Sequence, residues 1–439
     1  MELVQVIKDS GIVGAGGAGF PSHVKLSAKA EYVILNGAEC EPLLRVDQQL
    51  IEIFADEIIT GLEYIVKSTD AKKAYIAIKG KHKEAVDVIR KKTKNNNNIE
   101  LFVLGDFYPA GDEQVLVNEV TKRVVPEVSI PLKVGCIVIN VETVLNIVNA
   151  LNGKPVTHTY LTVAGKVPKP VTLRIPIGIS VREVLKLSGV SDFEKIKVVD
   201  GGPMMGKILQ NIDNPITKMS KGLIVLDEDD YLIKRKGMTA QMALRQSKAG
   251  CLQCRMCTEL CPRYLLGHNL QPHLMMRKSN YDRGEDIQGA EMASLCCECA
   301  ACELYACPAG LSPRLININY KQEMAKKSVK YKPSKENFVA LEVREYRKIP
   351  VKRLISRLGL KDYDVPAPLV EIDFKPKTVN IPLKMHIGVP SSPIVEVGQI
   401  VSEGELIAEI PEKALGARVH SSISGKVINI NDYITIESI

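Results

Sequence analysis

Short apolar runs alternate with longer amphipathic stretches over the first third of the chain. Two stretches, Asp47–Lys67 and Lys83–Lys92, show the three- and four-residue spacing of apolar positions that is typical of helices. Between them lie runs with the length and composition of buried strands: Tyr32–Leu35, Ala74–Ile78, Leu101–Leu104 and Ile137–Ile139. This alternation predicts an α/β domain, which we place at residues 1–152.

A β-rich pattern follows over residues 153–230. Leu161–Val163 and Ile196–Val199 are strand-like runs, and a single short helix is predicted between them. That helix opens with Ser180 and has Glu183 three residues later, which is the pattern of a capping box. We therefore predict a small β module with one helix.

The second half of the chain contains three regions that differ in composition and pattern. Residues 238–322 combine helical stretches with most of the cysteines, whereas residues 323–380 are rich in Lys, Arg and Pro and predict a connector with one helix near Val351–Leu358. Over residues 381–439, glycines separate short strands as they do in biotinyl and lipoyl carrier domains. The tip where a carrier presents its lysine contains Ala414–Ala417 instead, so we predict a barrel-sandwich module without a prosthetic group.

Composition narrows the class of protein. The 439 residues are 45% hydrophobic and 25% charged, which is typical of globular domains and argues against disorder. No apolar run reaches the roughly 18 residues of a membrane span, and unpaired cysteines suit a reducing compartment, so a cytoplasmic location is expected. The net charge of +7 is spread along the chain without a long basic tract, so no nucleic acid partner is predicted.

Nine of the eleven cysteines lie between Cys251 and Cys307, in two runs of similar spacing. Three thiolates spaced two residues apart can bind three irons of one cubane, and a distant fourth cysteine followed by Pro ligates the other cluster. The pattern predicts two [4Fe-4S] clusters rather than structural zinc or a disulfide framework. The predicted ligands are Cys251, Cys254, Cys257 and Cys307 for one cluster, and Cys296, Cys299, Cys302 and Cys261 for the other.

Two further points concern metal ligands. Cys297 adjoins Cys296, and we predict Cys296 as the ligand because it restores the two-residue step to Cys299. The seven histidines form no HExxH motif or close pair, so no catalytic metal is predicted. His268 and His273 are expected at the surface.

A glycine-rich segment near the N-terminus, Gly14–Gly19, satisfies G-x-G-x-x-G. A Rossmann fingerprint would follow a strand, but the residues before it, Leu3–Ile7, have the pattern of an amphipathic helix. Backbone N–H groups in such a loop can still approach a phosphate closely, since no side chains intervene. The segment therefore favours a nucleotide phosphate, with a tight structural turn as the alternative.

Four segments in a fixed order carry a resemblance to a known family: Gly14–Pro21 with Lys25, Asn36–Pro42, Gly111–Glu113 and Asn140–Thr143. They resemble the flavin-bearing, NADH-oxidising subunit of respiratory complex I and its RnfC- and PduS-like relatives. The resemblance covers essentially the whole chain. It implies a multidomain α/β protein with an FMN domain, a β-grasp (SLBB) module, an α-helical two-cluster ferredoxin domain and a C-terminal barrel-sandwich hybrid module, in the order of the PduS branch.

The resemblance also implies roles for single residues. The glycine loop and Lys25 would hold the FMN phosphate, Phe20 would stack on the NADH adenine, and Glu39 and Glu41 would act catalytically beside the nicotinamide. The implied cofactor-binding residues are Gly14, Gly16, Gly17, Gly19, Phe20, Lys25, Asn36, Glu113 and Asn140. Ala38 departs from the complex I pattern, which has an acidic residue there.

The implied activity is NADH oxidation through FMN and two clusters. A flavin is needed because NADH delivers two electrons together and a cluster accepts one. The acceptor stays open between a corrinoid and a partner redox protein in a larger complex, and the PduS branch adds a bacterial microcompartment as a location. The alternative, suggested by Ala38, is a relay subunit that has lost its own NADH chemistry.

Overall fold

The computed structural model describes residues 2–282, 286–333, 335–372 and 374–439. Its N-terminal part contains a four-stranded parallel sheet, with strand order β3-β2-β1-β5, between helices. The strands of this sheet are β1 Tyr32–Gly37, β2 Lys73–Lys79, β3 Ile99–Leu104 and β5 Cys136–Asn140. A short strand outside it is β4, Phe107–Tyr108. The helices are α1 Leu3–Asp9, α2 Ser22–Lys25, α3 Val46–Ile53, α4 Ala55–Ser68, α5 Lys83–Thr93, α6 Glu113–Thr121 and α7 Val141–Leu151.

All four predicted strands are confirmed, but the long helix predicted over Asp47–Lys67 is wrong as a single element. Phe54 leaves helical geometry, with φ −114° and ψ 36°, and separates α3 from α4. Its ring contacts that of Tyr160 edge to face, at 6.5 Å between centroids. The break therefore coincides with a tertiary contact to the next module, which the periodicity of the segment alone does not encode.

A six-stranded mixed sheet forms the next module, in the order β12-β7-β6-β10-β8-β9. Helix α8, Val181–Leu187, is capped by Ser180, whose hydroxyl accepts from the backbone N–H of Glu183 at 3.2 Å, so the N-cap of the predicted capping box is confirmed. The Glu183 carboxylate contacts the Ser180 hydroxyl, at 3.2 Å, instead of the Ser180 backbone N–H. Strand β12, Leu369–Val370, comes from the predicted connector and pairs in parallel with β7. The other strands are β6 His158–Gly165, β7 Val171–Pro176, β8 Ile196–Asp200, β9 Lys207–Ile208 and β10 Gly222–Asp227.

Short helices surround the cysteine runs, and Ala301–Ala306 forms a π-helical turn. They are α9 Tyr231–Lys236, α10 Ala240–Gly250, α11 Met256–Glu259, α12 Pro262–Leu265, α13 Pro272–Tyr281 and α14 Pro313–Lys326. The expectation that His268 lies at the surface is wrong. Its ring is buried against Phe338, and Nε2 lies 2.9 Å from the carbonyl oxygen of Val125, so one backbone hydrogen bond makes its burial tolerable.

The connector contains β11, Ile349–Pro350, which pairs with β4, and α15, Val351–Arg357, which confirms the predicted helix. Two small sheets complete the chain, in the orders β13-β19-β18-β15 and β14-β16-β17. Their strands are β13 Thr378–Pro382, β14 Ser392–Pro393, β15 Ile400–Val401, β16 Leu406–Glu409, β17 Val419–His420, β18 Gly425–Ile430 and β19 Tyr433–Ser438. Within the described ranges, no helix has the length and apolar composition needed to cross a membrane.

Buried contacts join the first and last modules. One continuous hydrophobic core runs from the helices around β1 into the C-terminal sheets. Lys218, in the β-grasp module, donates from its buried ammonium to the carbonyl oxygens of Gly11 at 2.7 Å and Arg418 at 2.8 Å, and burial lowers its pKa to about 7. Ile387 N–H donates to the carbonyl oxygen of Gly19 at 2.9 Å. The C-terminal module therefore supports the glycine loop from behind.

Candidate functional site

The glycine loop is a tight turn with a free crest. Gly14 N–H donates to the carbonyl oxygen of Phe20 at 2.9 Å, and Gly19 N–H returns to that of Gly14 at 3.2 Å. Gly16, Gly17 and Ala18 are exposed, and their N–H groups donate to none of the described residues. Three neighbouring amide donors without acceptors form the kind of nest that binds phosphate. Phe20, predicted to meet the adenine, is half-buried at the end of the loop.

The loop lies over the N-terminus of α7. Ala15 N–H donates to the hydroxyl of Thr143 at 3.0 Å, and a Cβ on Gly16 would lie 3.5 Å from that of Asn140. Gly17 has φ +104°, a region that side chains disfavour, and a Cβ there would meet no atom within 4 Å. The space above the loop is therefore open, and glycine at position 17 is required by backbone conformation rather than by crowding.

Two asparagines lie side by side at the carboxyl edge of the sheet, where Asn36 of β1 pairs in register with Asn140 of β5. The Asn36 amide donates to the carbonyl oxygen of Gly111 at 2.9 Å. Asn140 accepts from Glu142 N–H at 3.0 Å, which caps α7, and donates to Asp47 Oδ2 at 2.9 Å. Ligands of open α/β sheets bind at this edge.

Lys25 and Glu113 meet below the same edge. The Lys25 ammonium lies 2.8 Å from Glu113 Oε1 and donates to the carbonyl oxygen of Val138 in β5 at 2.8 Å. The structure thus brings these two predicted residues together as an ion pair. The ammonium lies beside the middle residue of β5, two residues before the end of the strand.

The two predicted catalytic carboxylates, only two residues apart, have separate surroundings. Glu39 accepts from the N–H groups of Asp47 at 2.9 Å and Gln48 at 3.3 Å, at the start of α3. Burial, and then the neighbouring charge of Asp47, raise the pKa of Glu39 to about 7. This carboxyl group is therefore poised to change its protonation state near neutral pH.

Glu41 points into the β-grasp module. Its carboxylate accepts from the N–H groups of Met204 and Met205, each at 2.8 Å, and it packs on Gly202, where any Cβ would come within 2.2 Å of Oε2. Burial raises the pKa of Glu41, while the two backbone donors and Lys236 oppose that rise. In this position Glu41 joins two modules.

A buried charged network behind Asn140 contains residues that sequence reasoning missed. Lys221 of the β-grasp module contacts Glu142 Oε2 and lies 3.9 Å from Asp47 Oδ1. Glu142 also accepts from the hydroxyl of Thr159 at 3.1 Å, and Asp47 Oδ1 is buried without a hydrogen bond from the described residues. Burial raises the pKa of Glu142 and of Asp47, against the opposing effect of Lys221. Of these residues, only Glu142 belongs to one of the four segments that carry the family resemblance.

These residues suit FMN. Free N–H donors on an exposed glycine crest match a phosphate, and the paired asparagines with the unsatisfied Asp47 oxygen offer polar contacts along a flat ring. When bound, FMN would accept two electrons as hydride and release them singly. FMN would be held by the glycine loop together with Lys25, Asn36 and Asn140.

The cysteines converge on two cavities. The outer cavity has one exposed cysteine, Cys254, and its cysteines are Cys251, Cys254, Cys257 and Cys307. The inner cavity is lined by Cys261, Cys296, Cys297, Cys299 and Cys302. Each cavity thus combines one full CxxCxxC run with the distant cysteine of the other run. This is the crosswise grouping that the spacing predicts.

The thiols of each group line a cavity and do not meet at a single point. In the part of the chain that the structure describes, no three His, Cys, Asp or Glu side chains converge closely enough for a single metal ion. Amide groups also point at sulfur, with Gln253 Nε2 3.1 Å from Cys251 Sγ and Leu311 N–H 3.3 Å from Cys307 Sγ. Both observations fit a cubane, in which each thiolate binds its own iron and hydrogen bonds to sulfur tune the potential.

The two runs share a backbone conformation. Gln253 and Arg255 of the first run have positive φ, at 52° and 64°, and so do Glu298 and Ala300 of the second, at 59° and 62°. Superposing these left-handed pairs aligns Cys251 with Cys296 and leaves Cys297 in the position of Leu252. The backbone register therefore favours Cys296 as the ligand, although both thiols line the inner cavity.

The inner cavity lies against the N-terminal domain. Tyr108 donates from its hydroxyl to the carbonyl oxygen of Cys299 at 2.7 Å. Arg263, two residues after Cys261, binds both oxygens of Asp112, at 2.7 and 2.9 Å. Although burial acts to raise the pKa of Asp112, Arg263 holds it below its usual value. Asp112 caps α6 directly before Glu113, so this ion pair joins the sheet edge to the cysteine region.

Comparison with known proteins agrees with this interpretation of the residues. Residues 7–149 match the Nuo51 FMN-binding domain, residues 250–312 a 4Fe-4S dicluster domain, and residues 361–438 the RnfC barrel sandwich hybrid domain. The cofactors are therefore FMN and two [4Fe-4S] clusters, with NADH as the fitting substrate, and the chain is an oxidoreductase with an electron-transfer function.

Similar proteins span the whole chain. Cobalamin reductase PduS of Citrobacter freundii is 43% identical over 97% of this chain and 94% of its own, and that of Salmonella typhimurium is 42% identical over 98% and 95%. A component of the Na⁺-translocating ferredoxin:NAD⁺ oxidoreductase complex of Acetobacterium woodii is 33% identical over 61% and 59%. An NAD⁺-reducing [NiFe]-hydrogenase aligns over 74% of this chain and 60% of its own, with a TM-score of 0.47 and 16% identity.

Proposed function

Because the chain belongs to the PduS family of RnfC-like flavin and iron–sulfur proteins, we propose that it oxidises NADH and delivers the electrons singly to an acceptor outside the chain. The observation that carries this proposal is spatial. The largely buried ion pair Asp112–Arg263 joins the carboxyl edge of the sheet, beside the glycine crest with its free amide donors, to the inner cysteine cavity.

The residues at the sheet edge divide the work. Gly16 and Gly17 offer amide donors for the FMN phosphate, and Lys25 adds positive charge beside β5. Asn36 and Asn140 orient polar groups toward the ring. Glu39 is the proposed proton-responsive residue, because its pKa of about 7 lets it take up or release a proton as the charge nearby changes.

Glu41 takes a different role in this proposal. Its two backbone bonds to Met204 and Met205 fix the β-grasp module against the segment that carries Glu39. It acts as a positioning residue, since its carboxylate has no free approach to a substrate in this arrangement. The crosswise cysteine ligation and the choice of Cys296 over Cys297 are parts of the same proposal.

For the acceptor, two candidates have support. The names of the 42–43% identical relatives favour a corrinoid, whereas the relative from the Na⁺-translocating complex favours a protein partner inside a redox complex. A cytoplasmic setting suits either acceptor, and a bacterial microcompartment suits the first. Loss of NADH chemistry, with a relay role only, is the competing proposal that Ala38 raises.

The test is an anaerobic preparation analysed in two steps. Denaturation should release non-covalent FMN, and chemical analysis should find about eight iron and eight sulfide per chain. NADH should then bleach the cluster absorbance of the native protein. Bound FMN with no bleaching by NADH would favour the relay role, and absence of flavin after reconstitution would overturn the dehydrogenase proposal.

A further inference from the structure

The two cysteine cavities differ in what separates them from solvent. Around the inner cavity, Cys261, Cys299 and Cys302 are buried, and Tyr108 and Asp112 of the N-terminal domain contact its frame. An electron that comes from the sheet edge therefore reaches the inner cavity first. Cys296 and Cys297 of the inner cavity are half-buried, and none of its cysteines is exposed as Cys254 of the outer cavity is.

The outer cavity opens at the surface. Cys254 is exposed, Leu252 beside it is 73% exposed, and Met256 is 37% exposed. Pro308 and Ala309 are exposed where the chain leaves Cys307. A cluster would fill the cavity itself, and the exposed side chains Leu252, Met256, Pro308 and Ala309 would remain around it as an apolar patch. Such a patch marks a contact site for another molecule.

Cationic side chains surround this patch. Arg357 is exposed and donates to the carbonyl oxygen of Cys307 at 3.3 Å. Arg255 and Arg277 both act electrostatically on His273, which lines the cavity, and Lys248 lies in the last turn of α10, directly before Cys251. Lys248 and Arg277 are exposed and form no ion pair with any described residue. Their charge is thus available to a partner.

Glu259 is an acidic residue beside Arg255, at this rim. It lies 3.7 Å from Arg255 and 3.6 Å from Arg347, so two arginines share one carboxylate and the local balance stays positive. The chain as a whole has a net charge of +7. An apolar centre with a cationic rim is the complement of a small acidic protein, and rim charges act mainly on the rate of encounter.

We propose that electrons leave this chain through the outer cavity, at a docking surface formed by Leu252, Met256, Lys248, Arg277 and Arg357 for a small acidic one-electron carrier protein. The inference rests on the proposed function and adds the exit point and the chemistry of the partner. Each NADH would release two electrons and one proton, become NAD⁺, and reduce two partner molecules by one electron each.

The test uses the holoprotein and two probes of opposite charge. Rubredoxin is a small acidic one-electron protein, and cytochrome c is a basic one. With NADH in excess, reduction of rubredoxin should be the faster reaction, and its rate should fall as ionic strength rises. The variant Lys248→Glu/Arg277→Glu should reduce rubredoxin about tenfold more slowly than the wild type does, and should reduce cytochrome c faster. Lys91→Glu, on the exposed face of α5, is the matched control and should change neither.

A second measurement needs no electron transfer. Zinc-substituted rubredoxin should show NMR line broadening on addition of the holoprotein, and the double charge reversal should remove it. Cluster bleaching by NADH alone, measured in parallel, reports on the proposed function. If NADH bleaches the clusters but charge reversal alters neither probe, the docking surface is wrong. Cobalamin reduction at the same rate by the wild-type protein and the charge-reversal variant, with no rubredoxin binding, would also overturn the docking surface and favour a corrinoid acceptor.

Discussion

The two ends of the proposed electron path differ in the kinds of side chain that form them. The glycine-loop end contains buried or half-buried ionisable groups that are joined by hydrogen bonds and ion pairs: Glu39, Asp47, Glu142 and Lys221. The lining of the inner cysteine cavity consists mainly of thiols and apolar side chains, and the charges of Arg263 and Arg314 beside it are paired with carboxylates. Hydride transfer moves a proton equivalent together with two electrons, whereas transfer between clusters moves only an electron. Titratable groups belong where protons move.

This contrast also shows how each end is held together. The charges at the flavin end come from two modules, so Lys221 must dock before Glu142 and Asp47 are neutralised. The cysteine end is held by the ligands themselves, because metal binding to thiolates contributes folding free energy directly. Removing a charge and removing a ligand should therefore damage different properties.

The largest expected effect is at the cysteine end. Cys261→Ala should empty the inner cavity and remove about four of eight irons, although Cys261 belongs to the first run in sequence. Iron and sulfide analysis with EPR of the reduced protein would measure this loss, and FMN content should not change. Cys297→Ala is the control and should retain about eight irons. If it loses a cluster while Cys296→Ala keeps both, the ligand choice is wrong.

Next in size is the loss of a buried counter-ion. Lys221→Met leaves the carboxylates of Glu142 and Asp47 uncompensated, and we expect a cost of about 3–5 kcal/mol in the free energy of unfolding. Chemical denaturation of the FMN-free protein would measure it. The added change Glu142→Gln should restore part of the loss, because an amide can still accept from Thr159.

The matched control for that variant is an exposed pair in the same module. Lys166 lies 2.5 Å from Asp227, and both side chains are solvent-exposed. Lys166→Met should cost less than about 1 kcal/mol, since surface ion pairs contribute little. Equal losses for the two methionine variants would show that burial does not set the strength of the Lys221 network.

A smaller effect is expected in the glycine loop. Gly17→Val imposes a branched side chain on φ +104°, which should cost about 1–3 kcal/mol of strain or move the amide donors. We expect FMN retention on gel filtration to fall at least about tenfold while iron content is unchanged. Gly153→Val places similar strain, at φ +75°, in open space after α7 and should retain FMN. Loss of FMN from both variants would indicate general destabilisation.

The same contrast explains what could be predicted from the sequence. Strand periodicity, the Ser180 N-cap and the spacing within each cysteine run are local patterns, and each is visible in a short stretch of sequence. Lys221 could not be recognised, because its partner Glu142 is 79 positions away and no spacing rule joins them. The contacts of Glu41 could not be recognised either, because its carboxylate accepts from two backbone N–H groups of a distant loop, and backbone groups leave no pattern in the sequence.

The smallest expected effect concerns pH at the flavin end. The pKa of Glu39 is about 7 in the folded protein and 4.5 as its ordinary value, so the folded state holds an extra proton between these values. Since the unfolded state binds fewer protons there, the free energy of unfolding should decrease as pH rises from about 4.5 to 7. Glu39→Gln removes this contribution, so its stability relative to wild type should increase over the same range and level off above pH 7. Unfolding curves between pH 5.5 and 8 would measure the difference, with Glu57→Gln, an exposed carboxylate in α4, as the charge control. A constant difference across that range would mean that the Glu39 carboxyl is already ionised at pH 5.5, and Glu39 would then lose its proposed role as the proton-responsive group.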